Sequence, residues 1–541
     1  MASHTIIPCT IPMATPMATK PDPLSMNALR YYTPPATPLN KTISCDLCIY
    51  GGTSGGIAAA VAARRQGLSV VVLEQSLHVG GMTSGGLSLT DIGNKQAIGG
   101  VSREFYRRVG DYYGVPEHWR FEPRVADSVF HDWIREEKIE VHTASFLARV
   151  ELNGNRIARL WTENGIEVSA KMFMDCSYEG DLMAAAKVSF TVGRESNSQY
   201  GETLNGAQVR NKHQFHFKVD PYLKEGDPAS GLLPGIEPHE PVIGQGDHRL
   251  QAYNFRLCLC KNPANQIPFT KPAGYDRSRY EILARYCRAG YVPEFNKFDP
   301  LAHDKVDMNN HGAFSTDYIG YNHEFPGASY PMRELLFQAH VEHVKGLLWF
   351  WKQDPAVDRQ FQEPFQKWGW AADEFVDCGG FSRALYVREA RRLVGDVVMT
   401  EHHCTGAKTE TDAVGLAAYT MDSHNCQRYA KDGRIWNEGD VQVHSGPPYP
   451  ISYRALVPKK GECENLFVPF CLSATHIAFG SIRMEPVFMI LAESCVHAAK
   501  LAIRKDQSVQ AVDYALLRDE LQKAGQVLGN VAPVKNIQSG E

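Results

Sequence analysis

The fold is decided by residues 47–74, which read LCIYGGTSGGIAAAVAARRQGLSVVVLE. The pattern predicts, in order, a strand at 47–50, a glycine-rich turn at 51–56, an alanine-rich helix at about 57–66 and a strand at 69–73. The second strand ends at Glu74, 23 residues after Gly51. Strand, turn, helix, strand and acid in this order predict a unit that binds the ADP half of a dinucleotide.

The glycine-rich turn carries the chemistry of this unit. Its glycines allow a tight turn, and the amides at the helix start can bind a pyrophosphate in the field of the helix dipole. Thr53 replaces the usual middle glycine. Its side chain limits how closely the backbone approaches the phosphates, and its hydroxyl can instead donate to a phosphate oxygen. The hypothesis expects these amides to face an open crevice, and the alternative is a plain strand and helix without a ligand.

A second glycine-rich loop indicates which dinucleotide is bound. It follows Glu74 directly, at residues 75–86, and reads QSLHVGGMTSGG. Such a loop beside the ribose acid is typical of FAD proteins. A strand predicted at 141–143 and three β segments broken at Asn153-Gly154 and Asn164-Gly165 then form a meander, because Asn-Gly is a strong hairpin signal. With residues 172–175 returning to the parallel sheet, this is the layout of a glutathione-reductase-like FAD domain.

Further motifs narrow the resemblance. They read YGGTSGG at 50–56, GGMTSGG at 80–86, DCSYEGD at 175–181, YVREARR at 386–392, MDSHN at 421–425 and SATHIAFGSIRMEP at 473–486. Together they resemble the FAD-dependent oxidoreductase family, some of whose members carry the label xanthan lyase-like. The resemblance runs from about residue 44 to about 503. It implies bound FAD and a reductase-like core, and it implies little about the substrate.

We therefore predict an α/β fold in which a glutathione-reductase-like Rossmann FAD-binding domain is discontinuous and carries an inserted mixed α+β substrate or cap domain. The chain is expected to begin with a flexible N-terminal arm at 1–43 and to end with a C-terminal tail at 506–541. Between them, the FAD-binding domain comprises residues 44–190 and, with active-site segments, residues 381–505. The substrate or cap domain is predicted at 191–380.

Particular elements are predicted within these segments. They are a half-buried strand at 253–260, helices at 331–351 and 355–368, a returning strand at 466–470, a helix from about Glu485 and a short helix at 512–524. Pro486 suits the first turn of the helix that begins near Glu485.

Composition restricts the function classes. The 541 residues are 43% hydrophobic and 22% charged, which is ordinary for a soluble globular protein. The net charge of −5 argues against a nucleic-acid role, and no apolar run reaches the ~18 residues of a membrane span. The 13 cysteines are scattered and no secretory signal precedes them, so we expect reduced thiols in a cytoplasmic protein.

The isoalloxazine ring is expected where the start of the last long helix meets the second glycine-rich loop. Reduced flavin carries negative charge near N1 and O2, which a helix N-terminus and a nearby cation such as Arg483 stabilise. The predicted FAD ligands are Gly51, Gly52, Thr53, Ser54, Gly55, Gly56, Glu74, Gln75, Gly80, Gly81, Met82, Thr83, Ser84, Phe146, Cys176, Ser177, Ser481, Ile482 and Arg483.

Oxidation of a substrate through flavin needs a base, for which histidine is suited near neutral pH. His476, His424 and the pair His402 and His403 compete for this role, and each has a structural alternative as a hydrogen-bonded histidine.

Arginines are the other catalytic candidates. A helix predicted at 387–392 would place Arg388, Arg391 and Arg392 on related faces, where they could bind a carboxylate or a hydroxyl-rich ligand. The alternative is a salt-bridged helix with Glu389. Arg388 and Arg483 are the arginines we assign to catalysis, and the polar run at 307–318 resembles a pocket lining.

The leading hypothesis is an FAD-dependent oxidase or dehydrogenase that takes hydride from a polar, hydroxylated small molecule to flavin N5. Oxygen is one candidate electron acceptor. A lyase, hydratase or isomerase that uses flavin structurally or transiently stays open as an alternative, as does a non-catalytic FAD-binding protein. No second dinucleotide unit and no metal-ligand spacing stand out, so neither an NAD(P)H domain nor a metal is expected. A homo-oligomer and covalent attachment of FAD are left open.

Overall fold

The computed structural model describes residues 29–529 and Val531. The predictions for residues 1–28, 530 and 532–541 lie outside the described residues. The α-helices are α1 Ser54–Arg65, α2 Gly81–Gly85, α3 Gly100–Tyr113, α4 Pro123–Glu136, α5 Asp181–Ala185, α6 Asn197–Tyr200, α7 Glu281–Arg288, α8 Tyr330–Gln353, α9 Arg359–Phe365, α10 Glu401–Cys404, α11 His476–Ile482, α12 Glu485–Lys505 and α13 Tyr514–Lys523.

The β-strands are numbered along the same chain. They are β1 Lys41–Tyr50, β2 Val70–Leu73, β3 Glu140–His142, β4 Leu147–Asn153, β5 Arg156–Thr162, β6 Ile166–Asp175, β7 Phe190–Thr191, β8 Ile236–Glu237, β9 Leu257–Cys260, β10 Gln266–Pro268, β11 Phe298–Pro300, β12 Lys305–Met308, β13 Gly369–Ala371, β14 Arg392–Leu393, β15 Ala413–Ala417, β16 Met421–Ser423, β17 Gln427–Lys431, β18 Arg434–Glu438, β19 Val441–Val443, β20 Tyr449–Ser452 and β21 Leu466–Phe467.

The central sheet has the strand order β3-β2-β1-β6-β5-β4. The strands β3, β2, β1 and β6 run parallel, and β21 adds a further parallel strand beside β6. The buried run of valines in β2 fits a parallel strand covered on both faces. The mixed α/β fold with a parallel sheet is therefore confirmed.

The longest strand of the meander, β6, pairs with β1 along one edge and has two successive partners along its other edge. Its first half pairs antiparallel with β5 at Val168, and its second half pairs parallel with β21 at Phe173. The two Asn-Gly turns close the antiparallel meander β4-β5-β6, as predicted. Residues 172–175 are predicted as a separate strand. In the structure they are the end of β6, so the third strand of the meander continues into the parallel sheet.

Helices α1 and α12 pack against each other beneath the sheet. Gly55 allows this approach, since a Cβ there would lie 2.6 Å from the Phe470 ring and 2.8 Å from the Phe488 carbonyl oxygen. The same core includes α3 and α4. The predicted helix beginning at Glu485, with Pro486 in its first turn, is confirmed as α12.

A second core forms around α8, mainly within the segment predicted at 191–380. Its sheet has the order β10-β13-β9-β12-β11, and neighbouring strands run antiparallel. The prediction of a half-buried strand over 253–260 is wrong in two respects: β9 is only Leu257–Cys260, and its four residues are all buried because apolar clusters cover both faces. The helix predicted over 355–368 shortens to α9.

One predicted segment boundary differs from the edge of a strand. Strand β1 begins at Lys41, inside the arm predicted for 1–43, because Lys41 donates its backbone N–H to the Gly165 carbonyl oxygen. Residues just before it also pack on the fold: the amides of Tyr31 and Tyr32 donate to Glu334 on α8 at 2.7 and 2.9 Å.

Helix α12 is long and apolar enough to cross a membrane by length and composition alone, which the sequence prediction did not anticipate. Its most apolar window has a mean hydropathy of 1.5, and 89% of that window is buried inside the fold. Because a buried core helix has the same composition, the packing of α12 accounts for this pattern.

The tightest glycine in the first glycine-rich turn gives a test of the close contact within that turn. A Cβ on Gly56 would lie 1.9 Å from the Gly51 carbonyl oxygen. We expect Gly56→Ala to destabilise the protein by about 2 kcal/mol, since overpacking a close contact costs roughly 1–3 kcal/mol. The measurement is the thermal melting midpoint. Gly327→Ala is the matched control, because a Cβ there meets no atom within 4 Å, and equal midpoints for the two variants would contradict the argument.

Candidate cofactor and active site

The predicted phosphate-binding turn lies at the carboxyl end of β1. Thr53 is the N-cap of α1: its Oγ1 accepts from the Gly56 amide at 3.2 Å and donates to the Cys176 carbonyl oxygen at 2.9 Å. Its hydroxyl is therefore used by the backbone rather than offered to a phosphate. Glu74 accepts from the Gly52 and Ser76 amides at 2.5 and 2.7 Å.

A buried carboxylate occupies the space in front of this turn. The Glu485 side chain accepts hydrogen bonds from Ser54 Oγ at 2.5 Å, Thr83 Oγ1 at 2.7 Å and Tyr178 OH at 2.9 Å. Burial raises the pKa of Glu485 above its ordinary value, and the three hydrogen bonds oppose that rise. The start of α1 and the second glycine-rich loop thus already hold a carboxyl group.

The hydrogen-bond donors at this turn fit the predicted cofactor. The cavity beside them is too small to hold it in this conformation. Two hydroxyls and the amides at the start of a helix are the donors that a pyrophosphate needs. The adjoining cavity has a volume of only about 10 Å³. Its lining residues are Tyr178, Tyr386, Val387, Arg388, Phe470, Phe479, Arg483, Glu485 and Phe488. The expectation of an open crevice is wrong here, because Glu485 and the stacked rings of Phe470 and Phe488 fill it.

The second glycine-rich loop lies beside the first. Gly80 donates its amide to the Gly52 carbonyl oxygen at 2.7 Å. The Met82 amide donates to Tyr178 OH at 2.9 Å, and Ser84 Oγ donates to the Val79 carbonyl oxygen at 2.5 Å. Gly81 adopts a φ of 54°, and a Cβ there would lie 2.4 Å from the Tyr178 hydroxyl, so glycine is required for this approach.

Other predicted FAD ligands already have partners. Gln75 Nε2 donates to Asp181 at 3.3 Å, and Ser177 Oγ donates to Asp175 at 2.6 Å. Cys176 donates its amide to the Tyr50 carbonyl oxygen, and the ring of Phe146 packs against Tyr31, Tyr32 and Tyr330. That these residues bind FAD remains a prediction.

Ser481, Ile482 and Arg483 do not simply precede the last long helix. Thr475 caps an additional helix, α11, which contains the first two of them and ends before Arg483. Ser481 Oγ accepts from Tyr449 and donates to the Tyr419 carbonyl oxygen, at 2.7 and 2.5 Å. Of the three, Arg483 lines the cavity.

Five charged side chains form a chain beside the cavity. Arg388 lies 2.9 Å from Asp317, and Asp317 lies 2.9 Å from His424 Nδ1. The other ring nitrogen of His424 lies 3.3 Å from Asp422, and Asp422 lies 3.2 Å from Arg483. The predicted arginines are therefore the two ends of one buried chain, with His424 at its centre.

The pKa of His424 follows from this position. Burial and the Arg388 guanidinium lower it, and the carboxylates of Asp317 and Asp422 outweigh both, so the pKa of His424 is raised above its ordinary value. The pKa of each carboxyl group is lowered in turn by the cations around it, against the effect of burial. The two carboxylates favour the charged imidazole, which counts against His424 as the base.

His476 belongs to a neighbouring network. Its Nδ1 lies 2.7 Å from Glu389 and its Nε2 lies 2.9 Å from Ser423 Oγ, and all three side chains are buried. Gln251 joins the two networks, because its Nε2 donates to Glu389 at 3.0 Å and its Oε1 accepts from Arg483 at 3.1 Å.

The structure places His402 and His403 in α10, apart from both networks. His402 Nε2 lies 3.3 Å from the Tyr200 carbonyl oxygen. His403 completes a capping box with Thr400, and its Nε2 lies 3.4 Å from Glu410. Burial lowers the pKa of His403. Their contacts are those of structural histidines.

The helix predicted over 387–392 is wrong. These residues form an irregular segment that ends in β14. The alternative salt bridge with Glu389 does form, because Arg392 Nε lies 2.8 Å from it. Each charged side chain also has a distant partner: Arg388 has Asp317, Glu389 has His476, Arg391 has Asp181 and Arg392 has Glu195. These partners lie in several directions, and one helical face could not reach them all.

Sequence reasoning missed several residues of the site. Glu485 stands out in the sequence only as a helix start, Asp422 and Tyr386 only as members of motifs, and Asp317 only within a polar run. Tyr386 OH accepts from Arg483 at 3.0 Å, and the Arg388 guanidinium lies 4.8 Å from the Tyr386 ring centre. No local signal identifies a buried carboxylate with distant partners, so only the motif SATHIAFGSIRMEP at 473–486 pointed toward Glu485.

Two groups of potential metal ligands occur among the described residues. They are His78 with Asp377 and Cys378, and Glu122 with Asp373 and Glu374. In the second group Lys305 Nζ donates to all three carboxylates at 2.7 Å, so a cation already lies there. The first group is partly exposed, and the absence of a metal stays a prediction.

The pKa of His424 makes stability depend on pH with a definite sign. Because its folded-state pKa is raised, its contribution is fully present below the unfolded value of about 6.5 and is lost as pH rises through the folded value. We expect the melting midpoint of the wild type to exceed that of His424→Gln most below about pH 6.5, with the difference shrinking above it.

A second buried histidine is the control for this titration. Burial lowers the pKa of His340 to about 4, so its effect has the opposite sign. The melting midpoint of the wild type should fall relative to that of His340→Gln as pH falls below about 6.5. Parallel difference curves for the two variants would contradict the assignment.

Comparison with known proteins is consistent with this geometry. The family model described as FAD dependent oxidoreductase matches residues 46–521. The curated 4-oxocyclohex-2-ene-1-carboxylate 5-dehydrogenase of Sinomonas cyclohexanicum is 49% identical over 45 residues, which span 8% of this chain and 8% of that protein.

Two solved flavoproteins overlap with a portion of the chain. A flavin-containing monooxygenase from Stenotrophomonas maltophilia has 17% identity and a TM-score of 0.19, over 29% of this chain and 43% of that one. A thioredoxin reductase from Streptococcus pyogenes has 22% identity and a TM-score of 0.17, over 24% of this chain and 34% of that one. Because the family model covers most of the sequence, this chain belongs to the FAD-dependent oxidoreductase family and is an enzyme with FAD as its cofactor.

Proposed function

We propose that this enzyme oxidises a polar, hydroxylated small molecule and passes hydride to N5 of FAD. The observation that carries the proposal is the cavity between the cofactor-binding segments and the insert, where Arg388, Arg483 and Tyr386 face Glu485 and Tyr178. The arginine Nε atoms are buried and have no hydrogen-bond partner. An unpaired buried donor costs about 1–3 kcal/mol, which a substrate oxygen would recover.

The segments on either side of the cavity support a discontinuous, glutathione-reductase-like FAD domain with a substrate domain inserted in it. In this proposal the amide of Gly55, with the hydroxyls of Ser54 and Thr83, binds the pyrophosphate. Glu74 binds ribose hydroxyls. When bound, FAD supplies the acceptor for an electron pair.

His476 is the base in this proposal. With Nδ1–H donated to Glu389, its Nε2 is free to accept a proton, and the hydroxyl of Ser423 lies within reach at 2.9 Å. The carbon–hydrogen bond of the substrate breaks with its electron pair, and the hydroxyl proton passes by way of Ser423 to His476. Glu389 then stabilises the imidazolium. His424, whose charged form two carboxylates favour, instead orients Asp317 and Asp422 and through them the arginines.

The partners are proposals of the same kind. They are a small-molecule substrate and oxygen as an electron acceptor, with neither nucleic acid nor membrane involved, in a cytoplasmic protein. The described cysteines form no disulfide, which supports a reducing compartment.

Anaerobic titration of the purified FAD enzyme tests the reaction. A panel of alcohols, sugars and hydroxy acids should include a compound that bleaches the flavin absorbance. His476→Gln should slow bleaching by about 10²–10⁴-fold, as expected for loss of a general base. His402→Gln is the matched control and should bleach as the wild type does. Conversion of a compound to product without bleaching would contradict hydride transfer to flavin.

The place of Glu485 gives a separate test that does not depend on turnover. If its carboxylate shares the donors of the pyrophosphate, Glu485→Gln should bind FAD about tenfold more tightly, because a like charge near the phosphates is removed. Ser54→Ala should bind FAD more weakly, since a donor to the phosphate is lost. The measurement is the dissociation constant from quenching of FAD fluorescence, and weaker binding by Glu485→Gln would overturn this role of Glu485.

A further inference from the structure

We infer that the substrate carries a carboxylate and that Arg388 and Arg483 bind it together. This inference rests on the proposed function, because it adds a second group to the hydroxylated molecule that the enzyme oxidises. It makes the substrate a hydroxy acid rather than a neutral alcohol or sugar. The two arginines then determine specificity, while His476 acts on the proton.

The two guanidinium groups have the same pattern of satisfied and free donors. Arg388 donates to the Ala252 carbonyl oxygen and to Asn310 at 3.2 Å, and it pairs with Asp317. Arg483 donates to Tyr386 and Gln251 and pairs with Asp422. In both residues the buried Nε has no hydrogen-bond partner, and both side chains line the same cavity.

Charge also favours an anion at this place. Arg388 and Arg483 carry two positive charges, and Asp317 and Asp422 carry two negative ones. The raised pKa of His424 favours a third positive charge, and the raised pKa of Glu485 on the opposite wall disfavours a third negative one. One more carboxyl group, Asp91, lies in electrostatic reach of Arg483. Tyr419 donates to it at 3.0 Å, and burial raises the pKa of Asp91, so among these acids it most readily gives up its charge.

The remaining walls of the cavity strengthen a charged hydrogen bond. Val387, Phe479 and Phe488 are apolar and exclude water. A carboxylate offers two oxygens and a full charge, and hydrogen bonds from guanidinium to carboxylate are about twice as strong as neutral ones. The cavity of about 10 Å³ admits one water-sized group, so a carboxylate requires it to widen. Widening on the side of Glu485 would break hydrogen bonds to hydroxyl groups and no ion pair.

Matched acids and amides test the carboxylate without any turnover. Benzoate is compared with benzamide, and acetate with acetamide, on the purified FAD enzyme at pH 7 and constant ionic strength. These compounds carry no hydroxyl to oxidise, so the perturbation of the visible flavin spectrum reports binding alone. We expect at least one acid to bind about tenfold or more tightly than its amide. Equal affinity within both pairs overturns the inference.

Variants identify the binding groups. We expect Arg388→Gln and Arg483→Gln each to weaken binding of that acid about tenfold or more and to change amide binding by less than about threefold. Arg454→Gln is the control, because this half-exposed arginine pairs with Glu410 and Asp412 away from the cavity. Unchanged acid binding in both cavity variants overturns the inference. Where a glutamine variant fails to fold, Arg388→Lys and Arg483→Lys keep the charge but lose the guanidinium geometry and should also weaken the acid.

Failure of this inference and failure of the proposed function give different results. If neutral alcohols bleach the flavin and the acids do not compete with them, the proposed oxidation is supported and the inferred carboxylate site is contradicted. If an acid binds through the two arginines but no hydroxylated compound bleaches the flavin, the carboxylate site is supported and the proposed oxidation is contradicted.

Discussion

Burial of full charges is the constraint on which the arrangement of this enzyme depends. Arg333 on α8 pairs with Asp181 at 2.6 Å, and Arg194 pairs with Glu438 at 2.6 Å, although 152 and 244 residues separate the partners along the chain. Removal of one partner from such a pair typically costs about 3–5 kcal/mol, because the other charge stays buried. The first of these pairs therefore joins α8 to the start of α5, which follows the last strand of the meander.

The same rule holds for the five charged side chains beside the cavity. Arg388 and Arg483 reach it from segments 95 positions apart, and both are held by carboxylates that share His424. Gln251 connects this chain to the Glu389, His476 and Ser423 network. A change at one position therefore alters the orientation of groups several side chains away, as expected for a fully buried polar network.

Local sequence signals predicted the regions of the fold that depend on local physics. The glycine-rich turn before α1 was found because a tight turn leaves few alternatives, and the meander was found because Asn153-Gly154 and Asn164-Gly165 close hairpins. The helix proposed for 387–392 failed because helical spacing says nothing about Asp317 or His476, which lie far away in sequence. Glu485 was missed as a site residue for the same reason: its partners Ser54 and Thr83 are about 400 residues earlier.

The double pairing of β6 has a consequence for how the chain can change in length. Its first half is aligned with β5 and its second half with β21, so both alignments share one uninterrupted backbone. A residue inserted within it would turn every following side chain to the opposite face and move Asp175, Cys176 and Ser177 away from the first glycine-rich turn. The two pairings therefore constrain the length of β6 at the same time.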